Sequence, residues 1–329
     1  MNQQEVVVVT GASAGLGRSI AHEFARHGAR VALIARDQDR LEAAKKEVED
    51  LGGQALIFPA DVADADRIET IAAEVEDTWG PIDVWVNNAM VSVLSPVDQM
   101  QPDEYKRVTE VTYLGQVYGT MAALKRMETR DKGTIVLVGS ALAYRGIPLQ
   151  SAYCAAKHAV QGFYDSLRTE LIHNKSNVKV TMVQLPAMNT PQFDWMRSRM
   201  PNKSRPMGKI YQPEVAARTI YYAAHHPDRE FKVGYTSVEA ILGNKVAPMI
   251  GDWVLARNGY KGQQTNEPET PGRPDNLYDT VKGDYGAHGR FNDQSHDVSA
   301  VGWLGRHQAV PIAASVVAGV VLGTLLLKR

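Results

Sequence analysis

Short apolar runs rich in β-branched residues alternate with segments of helical periodicity over most of the chain. Such runs are typical of strands buried on both faces of a parallel sheet, and the segments between them are long enough to be crossover helices. The regular alternation predicts an α/β fold of the Rossmann type, in which a doubly wound parallel sheet is flanked by helices. The predicted strands cover residues 5–10, 30–35, 54–58, 82–86, 134–138, 178–185 and 231–235. The predicted helices cover residues 18–27, 38–51, 64–79, 103–127, 151–173 and 213–225.

The composition changes after about Arg257, and this change divides the chain. Beyond it the sequence is rich in Gly, Pro, Asn and Asp, which predicts a polar, loosely ordered linker that buries little apolar surface. We therefore expect one folded domain over 1–257, a linker over 258–305 and a separate C-terminal segment over 306–329.

The C-terminal segment contains an uncharged stretch of 19 residues, 309–327. A helix of that length spans about 28 Å, close to the ~30 Å apolar core of a bilayer. Basic residues flank the stretch, Arg306 before it and Lys328 and Arg329 after it. We expect a C-terminal membrane anchor, with the rest of the chain on the cytoplasmic side because only the last two residues would then cross. A buried core helix is one alternative, and a tail that mediates assembly of a soluble protein is another.

A glycine-rich turn follows the first predicted strand. Gly11, Gly15 and Gly17 stand between that strand and the next predicted helix. Such a turn brings bare backbone N–H groups and a helix N-terminus to one point, which suits a pyrophosphate. The sequence therefore predicts dinucleotide binding here, with Leu16 in the same turn and Ser13 as a further donor to a phosphate. A tight turn without a ligand is the alternative.

The residues after the second predicted strand indicate which dinucleotide is bound. An acidic residue at this strand end would bind a ribose 2′-hydroxyl, whereas an arginine favours a 2′-phosphate. Ala35 takes the acidic position and Arg36 follows it, so NADP(H) is the expected cofactor and NAD(H) the second choice. We expect Asp37 to cap the next helix. After the third strand, Asp61 can contact the adenine beside Val62, or it can cap the helix that follows.

Three side chains further along the chain suit proton transfer to or from an alcohol oxygen. Tyr153 and Lys157 are four residues apart, so on a helix they lie on one face, and Ser140 closes the fifth predicted strand. A free tyrosine titrates near pH ~10, and a nearby lysine ammonium stabilises the phenolate and lowers that pKa. A tyrosine and a lysine at this spacing also occur by chance on ordinary helices, so the inference depends on the rest of the chain.

Together these motifs resemble the short-chain dehydrogenase/reductase family over about residues 3–255. The resemblance implies hydride transfer between nicotinamide C4 and a carbonyl or secondary-alcohol carbon. It implies that Tyr153 is the acid or base, that Lys157 lowers the Tyr153 pKa and binds the nicotinamide ribose, and that Ser140 orients the substrate oxygen. It also implies cofactor contacts in the Asn-Asn-Ala motif and in the segment that holds the nicotinamide carboxamide. The residues concerned are Asn88, Ala89, Pro186 and Thr190.

Three residues depart from the family pattern near this site. Met90 and Ala187 each replace a glycine. Thr112 stands where the family usually has an asparagine that helps to anchor a water in the proton relay from the lysine to solvent. A threonine hydroxyl can hold such a water, so Thr112 is the fourth candidate catalytic residue. The departures at Met90 and Thr112 also favour a second hypothesis, a nucleotide-binding scaffold or sensor with little turnover.

The segment 188–210 is predicted to be a mobile lid, because it is rich in methionine and is interrupted by three prolines. Flexible thioethers adapt to irregular apolar shapes, so the lid predicts an apolar pocket and a lipophilic carbonyl or alcohol as substrate. Packing of these side chains onto the core is the alternative.

Charge and cysteine content limit the remaining partners. The formal net charge is −1, so no positive field favours nucleic acid. Cys154 is the only cysteine, which excludes an intramolecular disulfide and a cysteine-based metal site, and we expect no metal. The resemblance implies a homodimer or homotetramer formed through the helices predicted at 103–127 and 151–173.

Overall fold

Seven buried strands form one parallel sheet, as the apolar runs predict. The computed structural model describes residues 4–307. The strands are β1 Val6–Thr10, β2 Arg30–Ala35, β3 Gln54–Pro59, β4 Val84–Asn87, β5 Thr134–Val138, β6 Lys179–Gln184 and β7 Glu230–Lys232. All neighbours pair in parallel, in the order β3-β2-β1-β4-β5-β6-β7. Because the order reverses between β1 and β4, the carboxyl ends of these two strands border a crevice, where open α/β sheets bind ligands.

Helices cover both faces of this sheet. The helices are α1 Gly15–Arg26, α2 Gln38–Asp50, α3 Ala65–Trp79, α4 Pro102–Thr109, α5 Gly115–Thr129, α6 Ser151–His173, α7 Gln192–Trp195, α8 Pro213–His225, α9 Tyr235–Val246, α10 Pro248–Gly262 and α11 Ala300–Arg306. One apolar cluster joins α1, α2 and α8 to one face, and a second joins α3 to α6 to the other. In α3, for example, the buried residues Ile68, Ile71, Ala72 and Val75 recur at helical spacing. The doubly wound α/β fold is therefore confirmed.

The helix predicted over 103–127 is interrupted in the structure. α4 ends at Thr109, a π-helical turn covers Glu110–Leu114, and α5 begins at Gly115. A Cβ on Gly115 would lie 2.6 Å from Val62 Cγ2, so α5 approaches the end of β3 closely only because this residue is a glycine. Apolar periodicity does not reveal such a turn, because a single π turn shifts the helical register without ending the helix.

The lid segment 188–210 is built from short pieces that pack on the domain. Trp195, Met196 and Met200 are buried, and the two methionines join a small cluster with Leu94. Packing onto the core is therefore the role of the two methionines. Short strands fix the segment to its surroundings. The pairs are Ala187–Met188 with Ile210–Tyr211, Ile210–Tyr211 with Ser295–His296, Val93–Leu94 with Arg197–Ser198, and Asn202–Ser204 with Gln264–Pro268.

The segment predicted to be a loosely ordered linker is instead packed on the domain up to the last described residue. The predicted boundary at 257 falls inside α10. Beyond it, Leu277 and Phe291 are buried in the domain, and several backbone carbonyls accept hydrogen bonds from domain arginines. The polar groups of the segment thus form hydrogen bonds with the protein and not with water alone. Composition alone cannot predict these bonds.

Within residues 4–307 no helix is long and apolar enough to cross a bilayer. The anchor predicted at 309–327 lies outside the described residues.

Candidate active site

The glycine turn after β1 has a backbone that only glycine allows. Gly11 and Gly15 have φ angles of +68° and +58°, in the left-handed region. A Cβ on Gly17 would lie 2.0 Å from the carbonyl oxygen of Gly11, so α1 passes directly against the turn. The N-terminus of α1 therefore faces the crevice, as phosphate binding requires.

One cavity of about 620 Å³ runs from this turn to the far end of the sheet. Of the residues predicted from the sequence to form the site, only Thr112 does not line it. The predicted residues along its wall are Gly11, Ser13, Gly15, Leu16, Gly17, Arg36, Asp61, Val62, Asn88, Ala89, Ser140, Tyr153, Lys157, Pro186 and Thr190. The two substituted glycine positions, Met90 and Ala187, line it as well. The sheet thus brings together residues that are up to 179 positions apart in sequence (Gly11 to Thr190).

Asn88 fixes the crevice between β1 and β4. Its amide Nδ2 donates to the carbonyl oxygen of Thr10 at 3.0 Å, and its backbone N–H donates to the Thr10 hydroxyl at 2.9 Å. A Cβ on Gly11 would lie 2.9 Å from Ala89 Cα, so the two strand ends are in close contact. Asn88 thus ties the two neighbouring strands together and holds the two walls of the cavity at a fixed separation.

Asp37 caps α2, whereas Asp61 does not cap α3. Asp37 accepts a hydrogen bond from the Arg40 backbone N–H at 3.0 Å. At α3 the cap is Asp64. Asp61 instead accepts from the Ala63 backbone N–H and forms an ion pair with an arginine of α4 while lining the cavity. The capping alternative is therefore correct for the first aspartate and wrong for the second.

α6 presents Tyr153 and Lys157 to the cavity, facing Ser140. Lys157 is buried, its Nζ donates to the carbonyl oxygen of Val138 at 2.7 Å, and Nζ lies 5.7 Å from the centre of the Tyr153 ring. Ser140 follows β5, and its Oγ accepts from the Leu142 backbone N–H at 3.1 Å. The three side chains that the sequence proposes for proton transfer therefore lie together at one end of the cavity.

Burial dominates the protonation of this group. It lowers the pKa of the Lys157 ammonium to about 7. It raises the pKa of the Tyr153 phenol well above its usual range, although a hydrogen bond with Ser140 acts in the opposite direction. From the sequence we expected Lys157 to lower the Tyr153 pKa; in the structure burial raises that pKa instead. Tyr153 therefore carries its proton at neutral pH and can act as an acid.

Thr112 lies outside this group. Its hydroxyl is fully buried, donates to the carbonyl oxygen of Val91 at 2.9 Å and accepts from the Val91 backbone N–H at 3.1 Å. Its neighbour Val111 lines the cavity instead. The hydroxyl that the sequence proposes for the proton relay is thus placed against the backbone of the loop after β4.

Further residues line the cavity that the sequence did not indicate. Arg40, Asn276 and Thr280 line it near Arg36, and Arg145 lines it near the junction of α9 and α10. Arg40 follows Arg36 by four residues, about one helical turn, so the sequence could have indicated it. Asn276 and Thr280 come from the segment expected to be loose, and no sequence pattern links them to the site.

Comparison with known proteins agrees with this geometry. The family profile described as short chain dehydrogenase matches residues 5–200. An uncharacterized oxidoreductase of Bacillus subtilis is 32% identical over 323 residues, which cover 97% of this chain and 89% of that protein. The 3-dehydrosphinganine reductase of Danio rerio is 34% identical over 65% of this chain and 66% of its own length. Several other curated relatives are matched over about 50–63% of their own length.

A solved structure shares the fold. It is a metagenomic short-chain oxidoreductase in complex with NADP, with a TM-score of 0.60 and 28% identity, and the match covers 71% of this chain and 98% of that one. This chain thus combines the parallel sheet, the glycine turn and the Ser140–Tyr153–Lys157 group. Its sequence matches the short chain dehydrogenase profile over more than half its length. The protein belongs to the short-chain dehydrogenase family.

Proposed function

We propose that the protein is an NADP(H)-dependent oxidoreductase that interconverts a carbonyl and an alcohol, with Tyr153 as its acid and base. The observation that carries this proposal is the single cavity that holds both the phosphate-binding turn and the Ser140–Tyr153–Lys157 group. Neither feature alone would indicate hydride transfer, because glycine turns bind many nucleotides and tyrosine–lysine pairs are common on helices.

Each side chain has a role that its position supports. NADPH, when bound, supplies the hydride to the carbonyl carbon. Ser140 donates a hydrogen bond to the substrate oxygen, and Tyr153 transfers its proton to that oxygen as negative charge develops there. Lys157 in its charged form stabilises the resulting phenolate, and a proton from solvent then restores Tyr153.

We propose ketone or aldehyde reduction as the main direction, because cells usually keep the NADP(H) pool mostly in its reduced form. The raised pKa of the Tyr153 phenol fits this role, since a phenol that keeps its proton at neutral pH can donate it to the substrate oxygen.

The cofactor choice rests on the residues after β2. Ala35 has no carboxylate to bind a ribose 2′-hydroxyl, and the Arg36 side chain lines the cavity after β2, so its guanidinium can bind a 2′-phosphate there. The solved relative described above was determined with NADP. NADP(H) is therefore the proposed cofactor, and NAD(H) the weaker ligand.

A lipophilic substrate is supported by the walls at the far end of the cavity. Ile147, Met207, Val254 and Leu255 contribute apolar surface there. The adjoining helices α9 and α10 also expose large apolar side chains to solvent. Examples are Leu242, Val246, Met249, Ile250 and Trp253. One relative is named as a reductase of 3-dehydrosphinganine, which agrees with a lipid-like carbonyl.

We further propose that the chain is anchored in a membrane by residues 309–327, with the catalytic domain on the cytoplasmic side. The exposed apolar face of α9 and α10 supports this, because it adjoins the substrate end of the cavity and suits contact with lipid. Assembly as a homodimer or homotetramer through α5 and α6 is supported by two exposed apolar side chains on these helices, Met121 and Ile172.

A panel of ketones, aldehydes and alcohols, including steroids, retinoids and long-chain aldehydes, tests the activity by NADPH absorbance. NADH serves as the cofactor control. Replacing Tyr153 by Phe should abolish turnover while NADPH still binds, because only the proton donor is lost. Equal use of NADH would overturn the cofactor assignment. An unchanged phenotype in Tyr153→Phe would instead favour the scaffold or sensor hypothesis.

A further inference from the structure

A segment from outside the matched family region crosses the cofactor end of the cavity. We call residues 275–291 the strap. It begins at Asp275, which forms an ion pair with Arg197 of the lid at 2.8 Å. It ends at Phe291, whose backbone N–H donates to the Asn189 Oδ1 atom at 3.0 Å. The family profile ends at residue 200, before the strap begins.

The first half of the strap binds two arginines of the cofactor site. Arg36 donates through Nη1 to the carbonyl oxygen of Tyr278 at 2.7 Å and through Nη2 to that of Asn276 at 2.5 Å. Arg40 donates through Nη2 to the carbonyl oxygen of Val281 at 2.6 Å. These carbonyls carry no net charge, so they orient the guanidinium groups without neutralising them, and Arg40 also forms an ion pair with Asp37 at 3.1 Å.

The second half of the strap contacts the phosphate-binding turn. The carbonyl oxygen of Gly286 accepts a hydrogen bond from the Gly15 N–H at 2.9 Å. Asp284 forms an ion pair with the buried Arg18 of α1. The strap therefore connects the arginines after β2 to the N-terminus of α1, along the line that a dinucleotide's adenosine and phosphates follow in this fold.

The strap covers the cavity but does not fill it. The cavity of about 620 Å³ remains beneath the strap, and Asn276 and Thr280 form part of its wall together with Arg36 and Arg40. Arg40 is buried, and among the described residues its Nε has no hydrogen-bond partner. A guanidinium has five N–H donors, so both arginines retain donors for a further acceptor in the cavity.

We propose that the strap is a cofactor-binding element that holds Arg36 and Arg40 together against the 2′-phosphate of NADP(H) and retains the bound cofactor. This inference rests on the proposed function. Two oriented guanidinium groups bind a phosphate dianion with several charge-assisted hydrogen bonds, whereas a 2′-hydroxyl gains little from them. The strap thus makes Arg40 a second determinant of NADP(H) selectivity. It also has to open for cofactor exchange, so it slows cofactor release.

Two side chains fasten the strap without lining the cavity. Tyr278 donates through its hydroxyl to Asp103 of α4 at 2.5 Å, and Asp284 pairs with Arg18. Removing either bond should loosen the strap and leave the walls of the cavity unchanged. Arg18 keeps a second ion pair with Glu47 at 2.7 Å, so α1 remains fixed when Asp284 is replaced.

The test compares the full chain with Tyr278→Phe, Asp284→Asn and the double variant. NADPH release is measured by stopped-flow fluorescence, and the dissociation constants of NADPH and NADH are measured by titration. We expect the double variant to release NADPH about five- to tenfold faster, because loss of contacts changes dissociation more than association. The control is Glu267→Gln, which removes an exposed ion pair with Lys203 in the same C-terminal region but outside the strap. It should leave release unchanged.

A separate variant, Arg40→Gln, tests the selectivity directly, because NADPH and NADH are compared in the same variant and the loss of its bond to Val281 affects both cofactors. It should weaken NADPH binding about tenfold and NADH binding far less, as loss of one charged phosphate contact predicts. Unchanged or tighter NADPH binding in folded strap variants would overturn the proposal, and tighter binding would show that the strap competes with the cofactor. Equal weakening of NADPH and NADH in Arg40→Gln would also overturn it. Failure of the wild-type chain to bind NADPH would refute the proposed function instead.

Discussion

At the scale of single residues, burial decides what the site can do. Lys157 is among the largest fully buried side chains, and it meets one backbone carbonyl rather than a carboxylate. Burial without a carboxylate partner destabilises the charged form, so the pKa of the Lys157 ammonium is lowered. The same desolvation keeps Tyr153 protonated. The sequence identifies both residues, but their protonation depends on depth below the surface, which spacing alone does not give.

The lowered pKa of Lys157 predicts a specific dependence of stability on pH. With a pKa of about 7 in the folded state and 10.5 in the unfolded state, the unfolded state binds more protons between these values. The free energy of unfolding therefore rises as pH increases from about 7 toward 10.5, and the destabilisation is largest below pH 7. This rise in the free energy of unfolding amounts to a few kcal/mol at most, and it should disappear in Lys157→Met.

Urea unfolding at pH 6.5 and pH 9 measures the effect. The matched control is Lys125→Met, at an exposed lysine of α5, which should keep the wild-type pH dependence. If wild type and Lys157→Met gain stability equally between the two pH values, Lys157 is not the group responsible.

The position of Thr112 predicts a structural and not a catalytic effect of its removal. Thr112→Val would leave the Val91 N–H and carbonyl without their partner in a buried place, at a cost of about 1–3 kcal/mol. Thr112→Ser should keep most of the stability. Thermal unfolding measures the loss, and the pH profile of turnover should not move in either variant. A shifted pH profile at unchanged stability would instead support the relay role that the family pattern suggests.

At the scale of elements, the close contact between the glycine turn and α1 carries the most information. Gly11 and Gly17 lie so near one another that a side chain on the second has no room. The sequence predicts this element well, because a strand, a glycine turn and a helix in succession impose strong local constraints. It predicts the helix through Thr112 poorly, since a π turn leaves the apolar pattern on either side nearly intact.

Replacing Gly17 by Ala should disrupt cofactor binding. The added methyl would meet the Gly11 carbonyl oxygen at 2.0 Å and the Asn88 Nδ2 atom at 2.7 Å, so the turn has to move. We expect more than tenfold weaker NADPH binding and a loss of stability of about 1–3 kcal/mol, the range for overpacking. Gly162→Ala in α6 is the control, because a Cβ there meets nothing within 4 Å.

Fluorescence titration with NADPH and thermal unfolding separate the two variants. Gly162→Ala should bind NADPH normally and be more stable by up to ~1 kcal/mol, since alanine favours the helix. Normal NADPH binding by Gly17→Ala would contradict the assignment of this turn to the phosphates.

At the scale of the whole molecule, local patterns predict the sheet, and long-range contacts determine the rest. All seven strands appear within a few residues of their predicted places, because most of them contain an apolar run; β7, with the sequence Glu230-Phe231-Lys232, is an exception. The strap was missed because its polar residues find partners more than 200 positions away, such as Arg36 for Tyr278 and Arg18 for Asp284. Composition cannot distinguish a polar segment that water solvates from one that a folded surface binds.

Removing the residues after position 307 should release the protein from membranes without loss of its cofactor site. α11 contributes to the folded domain, since the Ser299 hydroxyl and Arg306 bond to Val233 and Thr219, so a chain ending at 307 keeps these contacts. Cells expressing the full and the shortened chain are fractionated, and NADPH binding is measured in each fraction. The full chain should pellet with membranes and resist alkaline carbonate, as a spanning helix does. The shortened chain should appear mainly in the soluble fraction and bind NADPH with unchanged affinity.

The exposed apolar face of α9 and α10 determines whether the shortened chain still binds membranes weakly. If this face contacts lipid, a fraction of the shortened chain will still bind vesicles, reversibly and without carbonate resistance. Replacing Trp253, which is 65% exposed, by Glu should then remove that fraction, because a carboxylate resists transfer from water into apolar surroundings. The control is Lys132→Gln, because Lys132 precedes β5 and lies far from this face in sequence. Glu239→Gln would be unsuitable, since Glu239 lines the cavity. A full chain that remains soluble would show that 309–327 is not an anchor, and the apolar face would then need a different explanation, such as contact with a second subunit.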